Sequence, residues 1–132
     1  MNDPITNLLQ NSKTIAVVGI SDNPMRPSYG VSEYMQQHGY RIIPVNPQIG
    51  EVLGEKCYAT LSEIPDKIDI LNVFRRPEFV PAIVEEAIRL KTPAIWMQED
   101  VVHEEAAAKA RAAGIFVVMD KCILKEHRAR MR

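Results

Sequence analysis

The sequence has few of the features that mark specialised classes of protein, and cysteine is the first of them. Its 132 residues include two cysteines, Cys57 and Cys122. Their spacing matches neither a C-x-x-C pair nor a cysteine and histidine metal motif. We therefore predict free thiols, as in a reducing compartment, and expect no structural disulfide. A redox or metal-binding role for the two thiols is the alternative.

Excess charge and long apolar runs are also missing. The chain has 16 basic and 17 acidic residues, a formal net charge of -1, so its composition gives no electrostatic reason to expect nucleic acid or an anionic membrane as a partner. No stretch is long and apolar enough to span a bilayer, and residues 1–13 lack the basic start and apolar core of a signal peptide. These absences predict a cytoplasmic protein.

The length fits one ordinary domain. A chain of 132 residues can bury roughly two thirds of its unfolded surface in one core. No internal repeat, low-complexity segment or linker divides it. We predict a single domain over residues 1–132, with residues 121–132 as a helical basic tail. Residues 1–12 should form an N-terminal helix, with Asp3 as N-cap and Pro4 at the first helical position.

Apolar runs alternate with helical patterns along the chain. Strands are predicted at residues 14–20, 40–45, 68–74, 94–97 and 115–119, and helices at 28–38, 77–90 and 104–113. Residues 48–58 should form a loop with a short hairpin, and residues 61–65 a single helical turn. Asp69 and Asn72 interrupt the third strand, which we expect to be half covered or close to an edge. Strands separated by helices form β-α-β units, so the predicted fold class is α/β, with a doubly wound, five-stranded, mainly parallel sheet and helices on both faces.

The turn after the first strand has the composition of a phosphate site. Residues 15–18 have the pattern of a buried strand, Gly19 ends it, and a polar loop leads to a helix that begins near Ser28. The unpaired N–H groups and the positive dipole end of a helix start favour phosphate. In a doubly wound sheet, ligands bind at the carboxyl ends of the strands where the strand order reverses. We therefore predict a nucleotide-type site here.

The site lacks the fingerprint of NAD-binding proteins. That fingerprint needs three glycines, G-x-G-x-x-G, and an acidic residue at the end of the second strand. Gly19 matches the first position, but Ser21 and Pro24 occupy the other two, and the second strand ends in Asn46. Hydride transfer with NAD is therefore not expected.

Other side chains of this region can bind phosphate. The loop supplies hydroxyl donors, a flexible cation and a partly polar wall, from Ser21 and Ser28, Arg26, and Tyr29 respectively. Arg75 and Arg76, at the end of the third strand, should reach the same edge, and the arginine fork suits phosphate oxygens. The alternative is that these arginines are only solvated loop residues.

An apolar slot is expected beside the basic groups. It would suit an adenine ring or a thin aliphatic arm, and its walls would be Val45, Pro47, Phe74 and Pro77. The alternative is that these residues only anchor loops to the core.

No catalytic constellation is evident. The three histidines, His38, His103 and His127, have no serine or cysteine at motif spacing and do not pair at metal-ligand spacing. Glu99 and Asp100 could act as acid and base, but capping of the following helix explains them more simply. We predict no catalytic residue and no metal ligand.

Several segments together carry a family resemblance that extends from about Lys13 to His127. They are Val-Val-Gly-Ile-Ser (17–21), Arg-Pro-Ser-Tyr-Gly-Val (26–31), Ile-Pro-Val-Asn-Pro (43–47), Val-Phe-Arg-Arg-Pro (73–77), Ile-Trp-Met-Gln (95–98) and Met-Asp-Lys-Cys (119–122). In this order they resemble the small stand-alone CoA-binding domain proteins, which are similar to the nucleotide-binding domain of the succinyl-CoA synthetase α subunit.

The resemblance implies a Rossmann-like fold with coenzyme A, or an acyl-CoA, lying across the strand ends. It implies that Gly19, Ser21, Arg26 and Ser28 hold the phosphates, that Val45, Pro47, Phe74 and Arg75 border the adenosine part, and that Gln98 faces the pantetheine arm. Tyr29, Asn46 and Arg76 complete the expected binding set. The synthetases also carry a phosphorylated histidine in a second domain, which has no counterpart here, so ligase activity is not expected.

Three functions remain open at this point. The first is a CoA-binding protein without chemistry of its own. The sequence leaves open whether such a protein forms a homo-oligomer. The second is an enzyme that acts on CoA thioesters or CoA disulfides through Cys122, which follows the fifth strand. The third is a protein-interaction domain with a vestigial pocket, which a cleft plugged by Pro24, Met25 or Tyr29 would favour.

Overall fold

A five-stranded parallel sheet forms the centre of the chain in the computed structural model, which describes residues 3–131. The strands of this sheet are β1 (Thr14–Val18), β2 (Arg41–Val45), β5 (Ile70–Val73), β6 (Ala94–Met97) and β7 (Phe116–Val118), and a separate hairpin consists of β3 (Glu51–Val52) and β4 (Glu55–Lys56). The helices are α1 (Pro4–Asn11), α2 (Pro27–Gln37), α3 (Val80–Arg89), α4 (Glu104–Ala112) and α5 (Ile123–Arg130), with short 3₁₀ helices at Leu61–Glu63 and Pro77–Phe79. The predicted α/β class is confirmed.

The strand order creates a crevice at the carboxyl ends of the sheet. The order is β2-β1-β5-β6-β7, and every neighbouring pair is parallel. The chain winds outward from β1 to β2 and then from β5 to β7, so the direction of winding reverses between β1 and β5. Val18, the last residue of β1, is in register with both Val45 and Val73. The three strands next to the reversal therefore end at the same level, where a ligand can lie across them.

Helices cover both faces of the sheet. Because successive strand residues point to opposite faces, Ile15 and Val17 pack among residues of α1, α2 and α5, whereas Ala16 and Val18 pack among residues of α3 and α4. All four side chains are buried. This continuous apolar run is typical of a parallel strand covered on both sides, and it fixes the position of the loop that follows β1.

The prediction for the third strand of the sheet was wrong in its position. β5 lies in the centre of the sheet, and its four residues are buried. Asn72 is only 1% exposed, and its Oδ1 accepts a hydrogen bond of 2.7 Å from Nε2 of Gln98 in the next loop. A partner of this kind removes the cost of burying an amide. Asp69 lies before the strand, where its carboxylate accepts from the backbone N–H groups of Lys13 and Thr14.

Most local predictions agree with the structure. Asp3 caps α1 by accepting from the N–H of Thr6, with Pro4 at the first helical position. The short hairpin and the single helical turn are both present, while α2 begins at Pro27, one residue before the predicted start. Residues 1, 2 and 132, at the outer ends of the predicted N-terminal helix and basic tail, lie outside the described residues. Among residues 3–131, no helix has the length and apolar character that crossing a membrane requires.

Candidate functional site

A cavity of about 920 Å³ lies over the carboxyl ends of β1, β2 and β5. Its walls come from the three loops that follow these strands and from the start of α2. It therefore lies at the reversal of the strand order, where an open α/β sheet binds its ligands. We call it the main cavity. Its lining residues are Gly19, Ile20, Ser21, Asp22, Arg26, Pro27, Ser28, Asn46, Pro47, Gln48, Ile49, Phe74, Arg75, Arg76 and Phe79.

Gly19 allows the loops after β1 and β5 to touch. Its φ is +88°, in the left-handed region, and a Cβ at this position would lie 2.4 Å from the carbonyl oxygen of Phe74 and 2.8 Å from Cδ of Arg75. No side chain fits that space without moving the backbone. The N–H of Gly19 donates to the carbonyl of Val45 at 3.1 Å, so the loop is held on the β2 side as well.

Hydrogen bonds within the loop after β1 fix its shape. Oγ of Ser28 accepts from the N–H of Ser21 at 2.9 Å, and Oγ of Ser21 accepts from the N–H of Asn23 at 3.0 Å. Asn23 in turn accepts from the N–H of Met25 through Oδ1. Ser21 and Ser28 thus shape the loop through their oxygens, while each hydroxyl hydrogen can still donate to a ligand.

Asn46 joins the loops after β1 and β2. Its Nδ2 donates to the carbonyl of Ile20 at 2.8 Å, and its Oδ1 accepts from the N–H of Gln48 at 2.8 Å. Both functions of the side-chain amide are used, which a carboxylate could not reproduce because it cannot donate. The amide found in place of the NAD-type acid is therefore a structural part of the cavity wall.

The start of α2 gives one wall a positive potential. Arg26 is the N-cap residue and Pro27 occupies the first helical position, so the N–H of Ser28 has no acceptor inside the helix. The first turn of α2, all of which is described, has no acidic residue to offset the helix dipole. An anion in the main cavity would do so.

Three arginines and one aspartate line the main cavity. Cζ of Arg75 lies 4.1 Å from the ring centroid of Phe79, and Arg76 forms an exposed ion pair of 3.9 Å with Glu78. Arg26 is exposed and forms no ion pair within residues 3–131. The excess of positive charge on this wall suits a ligand with several negative charges.

The charge of Asp22, the aspartate of the main cavity, is one of the influences on the pKa of the Cys57 thiol. Burial, and then the charges of Asp22 and Glu51, raise the pKa of Cys57 above its ordinary value. A raised pKa keeps the thiol protonated and unreactive near neutral pH. Cys57 is therefore a buried structural residue.

A smaller cavity of about 200 Å³ adjoins the main one on the face covered by α3. Four residues border both cavities, namely Gly19, Asn46, Pro47 and Arg75. The remaining lining is largely apolar and consists of Val18, Val45, Ala59, Thr60, Leu61, Ile83 and Glu86. This side cavity has room for one ring system beside the charged wall.

The structure brings most of the predicted site residues together. Nine of the twelve line the main cavity, and they are Gly19, Ser21, Arg26, Ser28, Asn46, Pro47, Phe74, Arg75 and Arg76. Val45 lines the side cavity. Tyr29, a residue of α2, lines neither cavity and packs against the core, and Gln98 is only 4% exposed and pairs with Asn72. Pro77, expected in the apolar slot, also lies outside both linings.

Some cavity residues were not predicted. Phe79 is the clearest case, because an apolar residue two positions after the Arg76-Pro77 pair carries no sequence signal for a role in ligand binding. Gln48 and Ile49 fall within the loop predicted at residues 48–58. Their contribution depends on how the β2 loop folds back over Asn46, which local patterns do not predict.

The side chains considered for catalysis lie outside both cavities. Cys122 is buried as the N-cap residue of α5, on the face that α1 and α2 cover. Glu99 pairs with Lys125, and His103 caps α4 by accepting from the N–H of Ala106. His127 is buried, with Nδ1 at 2.9 Å from the hydroxyl of Tyr34. These contacts give each of them a structural role.

Comparisons with known proteins agree with this fold. The uncharacterized protein YneT of Bacillus subtilis is 50% identical over 123 residues, which is 93% of this chain and 91% of that protein. A solved structure of a hypothetical protein from Pyrococcus horikoshii superposes with a TM-score of 0.94 at 38% identity, and the match covers 97% of this chain and 90% of the other.

A larger relative shares part of the chain. The α subunit of an ADP-forming acetate–CoA ligase I from Pyrococcus furiosus is 34% identical over 84 residues, which is 59% of this chain but only 18% of that subunit. The family model described as "CoA binding domain" matches residues 13–128. Since that match spans nearly the whole chain and the Rossmann-like fold agrees with it, the chain belongs to the CoA-binding domain family.

Proposed function

We propose that this chain binds coenzyme A, or an acyl-CoA, in the main cavity and supplies no bond-making group of its own. The observation that carries the proposal is the meeting of the α2 N-terminus with the arginine-lined loop after β5 across Gly19. The backbone N–H groups and dipole of the α2 N-terminus, with the fork of Arg26, suit a diphosphate, and the arginine-lined loop after β5 adds positive charge beside it. Membership of the family supports coenzyme A as the diphosphate compound.

The two cavities suggest how the ligand would lie. The side cavity suits the adenine ring, with Val45 and Pro47 against it. The diphosphate would lie at the start of α2, near Ser28 and Arg26. The pantetheine arm would then leave the main cavity toward solvent or along the ends of β5 and β6, since Gln98 at the end of β6 is held by Asn72.

The two alternative functions receive less support. A thiol mechanism needs a cysteine that reaches the ligand, but Cys122 is 9% exposed and lines neither cavity. A vestigial pocket needs a plug, but Pro24 and Met25 are exposed and Tyr29 faces the core. The ligase named in the larger relative belongs to a protein of which the match covers 18%, so its reaction is not part of the proposal.

Isothermal titration with CoA tests the proposal through three variants. We expect saturable binding, and we expect Arg26→Ala to weaken it by about three- to tenfold, the range for an exposed charge-assisted contact. Arg111→Ala removes another exposed charge, from α4 on the far face of the sheet from α2, and should leave the affinity unchanged. Cys122→Ser should also bind normally. Equal affinity of the Arg26 and Arg111 variants would contradict the proposed site.

A further inference from the structure

Arg75 lies between the two cavities. It borders the main cavity and the side cavity, and among the four residues that do so it is the charged one. Its side-chain stem lies against Gly19, where Cδ would be 2.8 Å from an added Cβ. A ligand that occupies both cavities must therefore pass this guanidinium.

The guanidinium of Arg75 is positioned without being neutralised. It is half-buried and stacks on the ring of Phe79, and it has no carboxylate partner within residues 3–131. The neighbouring arginine differs, because Arg76 pairs with Glu78. The acid of the side cavity, Glu86, pairs with Arg89 instead. A cation held by an aromatic ring retains its five N–H donors for an anion.

The position of Arg75 separates it from the groups that suit a diphosphate. Those groups, Arg26 and the first turn of α2, belong to a helix that packs on one face of the sheet, with Met35 in its core. The side cavity opens on the other face, beside Ile83 of α3. A nucleotide with its base there and its diphosphate at α2 would have its ribose next to Arg75.

We infer that Arg75 binds a phosphate carried on the ribose of the bound nucleotide, and that it thereby makes the site selective for ribose-phosphorylated adenine nucleotides. This inference rests on the proposed function. Coenzyme A carries such a group, the 3′-phosphate, and dephospho-CoA is the same molecule without it. Arg75 is then a specificity residue, while Arg26 serves the diphosphate that both compounds share.

Titrations of the full chain with CoA and with 3′-dephospho-CoA test the inference. We expect the natural sequence to bind CoA about tenfold or more tightly, the effect of one charge-assisted arginine contact. Arg75→Gln should reduce that preference to about onefold, because it should weaken the affinity for CoA and leave the affinity for dephospho-CoA unchanged. Arg26→Gln should weaken the affinity for both compounds by a similar factor, so the preference for CoA should remain. Arg111→Gln, distant on α4, should change neither affinity.

A conservative variant separates a role in binding from a role in folding. Phe79→Leu removes the aromatic ring but keeps the charge of Arg75, so we expect a smaller preference for CoA with an unchanged melting temperature of the ligand-free protein. Equal affinities of the natural sequence for the two compounds would overturn the inference and leave the proposed function intact. An equal loss of affinity for both compounds in Arg75→Gln would also overturn the inference. If neither compound binds, both the inference and the proposed function are overturned.

Discussion

Replacement of Gly19 by alanine is the sharpest test of how the cavity is built. The added Cβ would lie 2.4 Å from the carbonyl oxygen of Phe74 and 3.0 Å from its carbonyl carbon. These are backbone atoms in the loop after the central strand, so a change of rotamer cannot relieve the overlap. The loops after β1 and β5 must move apart instead.

The cost of Gly19→Ala has two parts. An alanine at a φ of +88° costs about 1–2 kcal/mol, and an overpacked site adds about 1–3 kcal/mol. Together they predict a loss of about 2–5 kcal/mol in the free energy of unfolding. For a chain of this length that corresponds to a decrease of roughly 7–18 °C in the melting temperature. Binding of CoA should weaken as well, because the same movement separates the two sides of the main cavity.

Gly30→Ala is the matched control. Gly30 lies on the exposed side of α2, and a Cβ added there meets no atom within 4 Å. Alanine in a helix interior should stabilise the chain by about 0.5–1 kcal/mol. Thermal melting followed by circular dichroism measures both variants. A Gly19→Ala variant that has the same melting temperature as Gly30→Ala and binds CoA normally would refute the close contact of the two loops.

Two further predictions concern buried polar groups. Burial, and then the charge of His38, lowers the pKa of His127, so the unfolded chain binds this proton at a higher pH than the folded chain. The contribution of neutral His127 to the free energy of unfolding should be fully present above about pH 6.5 and decrease as the pH falls below that value. In His127→Gln, the urea midpoint of unfolding should depend less on pH in this range. Asn72→Leu should cost about 1–3 kcal/mol, because Gln98 loses the acceptor of its buried amide. Adding Gln98→Met should restore part of that loss, and urea midpoints that decrease further in the double variant would contradict this pairing.

The fold was predictable because its signals are local. Residues 15–18 are apolar and buried on both sides, and Gly19 ends them at a position where no side chain fits. The same regularity made the position of β5 hard to predict, since Asn72 is polar in sequence yet fully buried. Its partner lies 26 residues away, and no local pattern contains that pairing.

The site was predictable in its outline and less so in its detail. The rule that ligands bind at strand ends indicated the three loops that line the main cavity, and nine of the predicted residues are in that lining. The roles of individual side chains depend on contacts that form only in three dimensions. Gln98 turns inward to Asn72, and Phe79 turns toward Arg75. Neither orientation follows from the spacing of residues in the sequence.

An NMR titration of the isotope-labelled chain with CoA reports in one experiment whether CoA binds and where it binds. We expect saturable changes in amide chemical shifts that are largest in the three loops at residues 19–28, 46–49 and 74–79, with further changes at residues 59–61 and 83–86, which border the side cavity. The amides of α4, on the other side of the sheet from α2, should change little. An absence of saturable changes at millimolar CoA, or changes centred away from these three loops, would contradict the account.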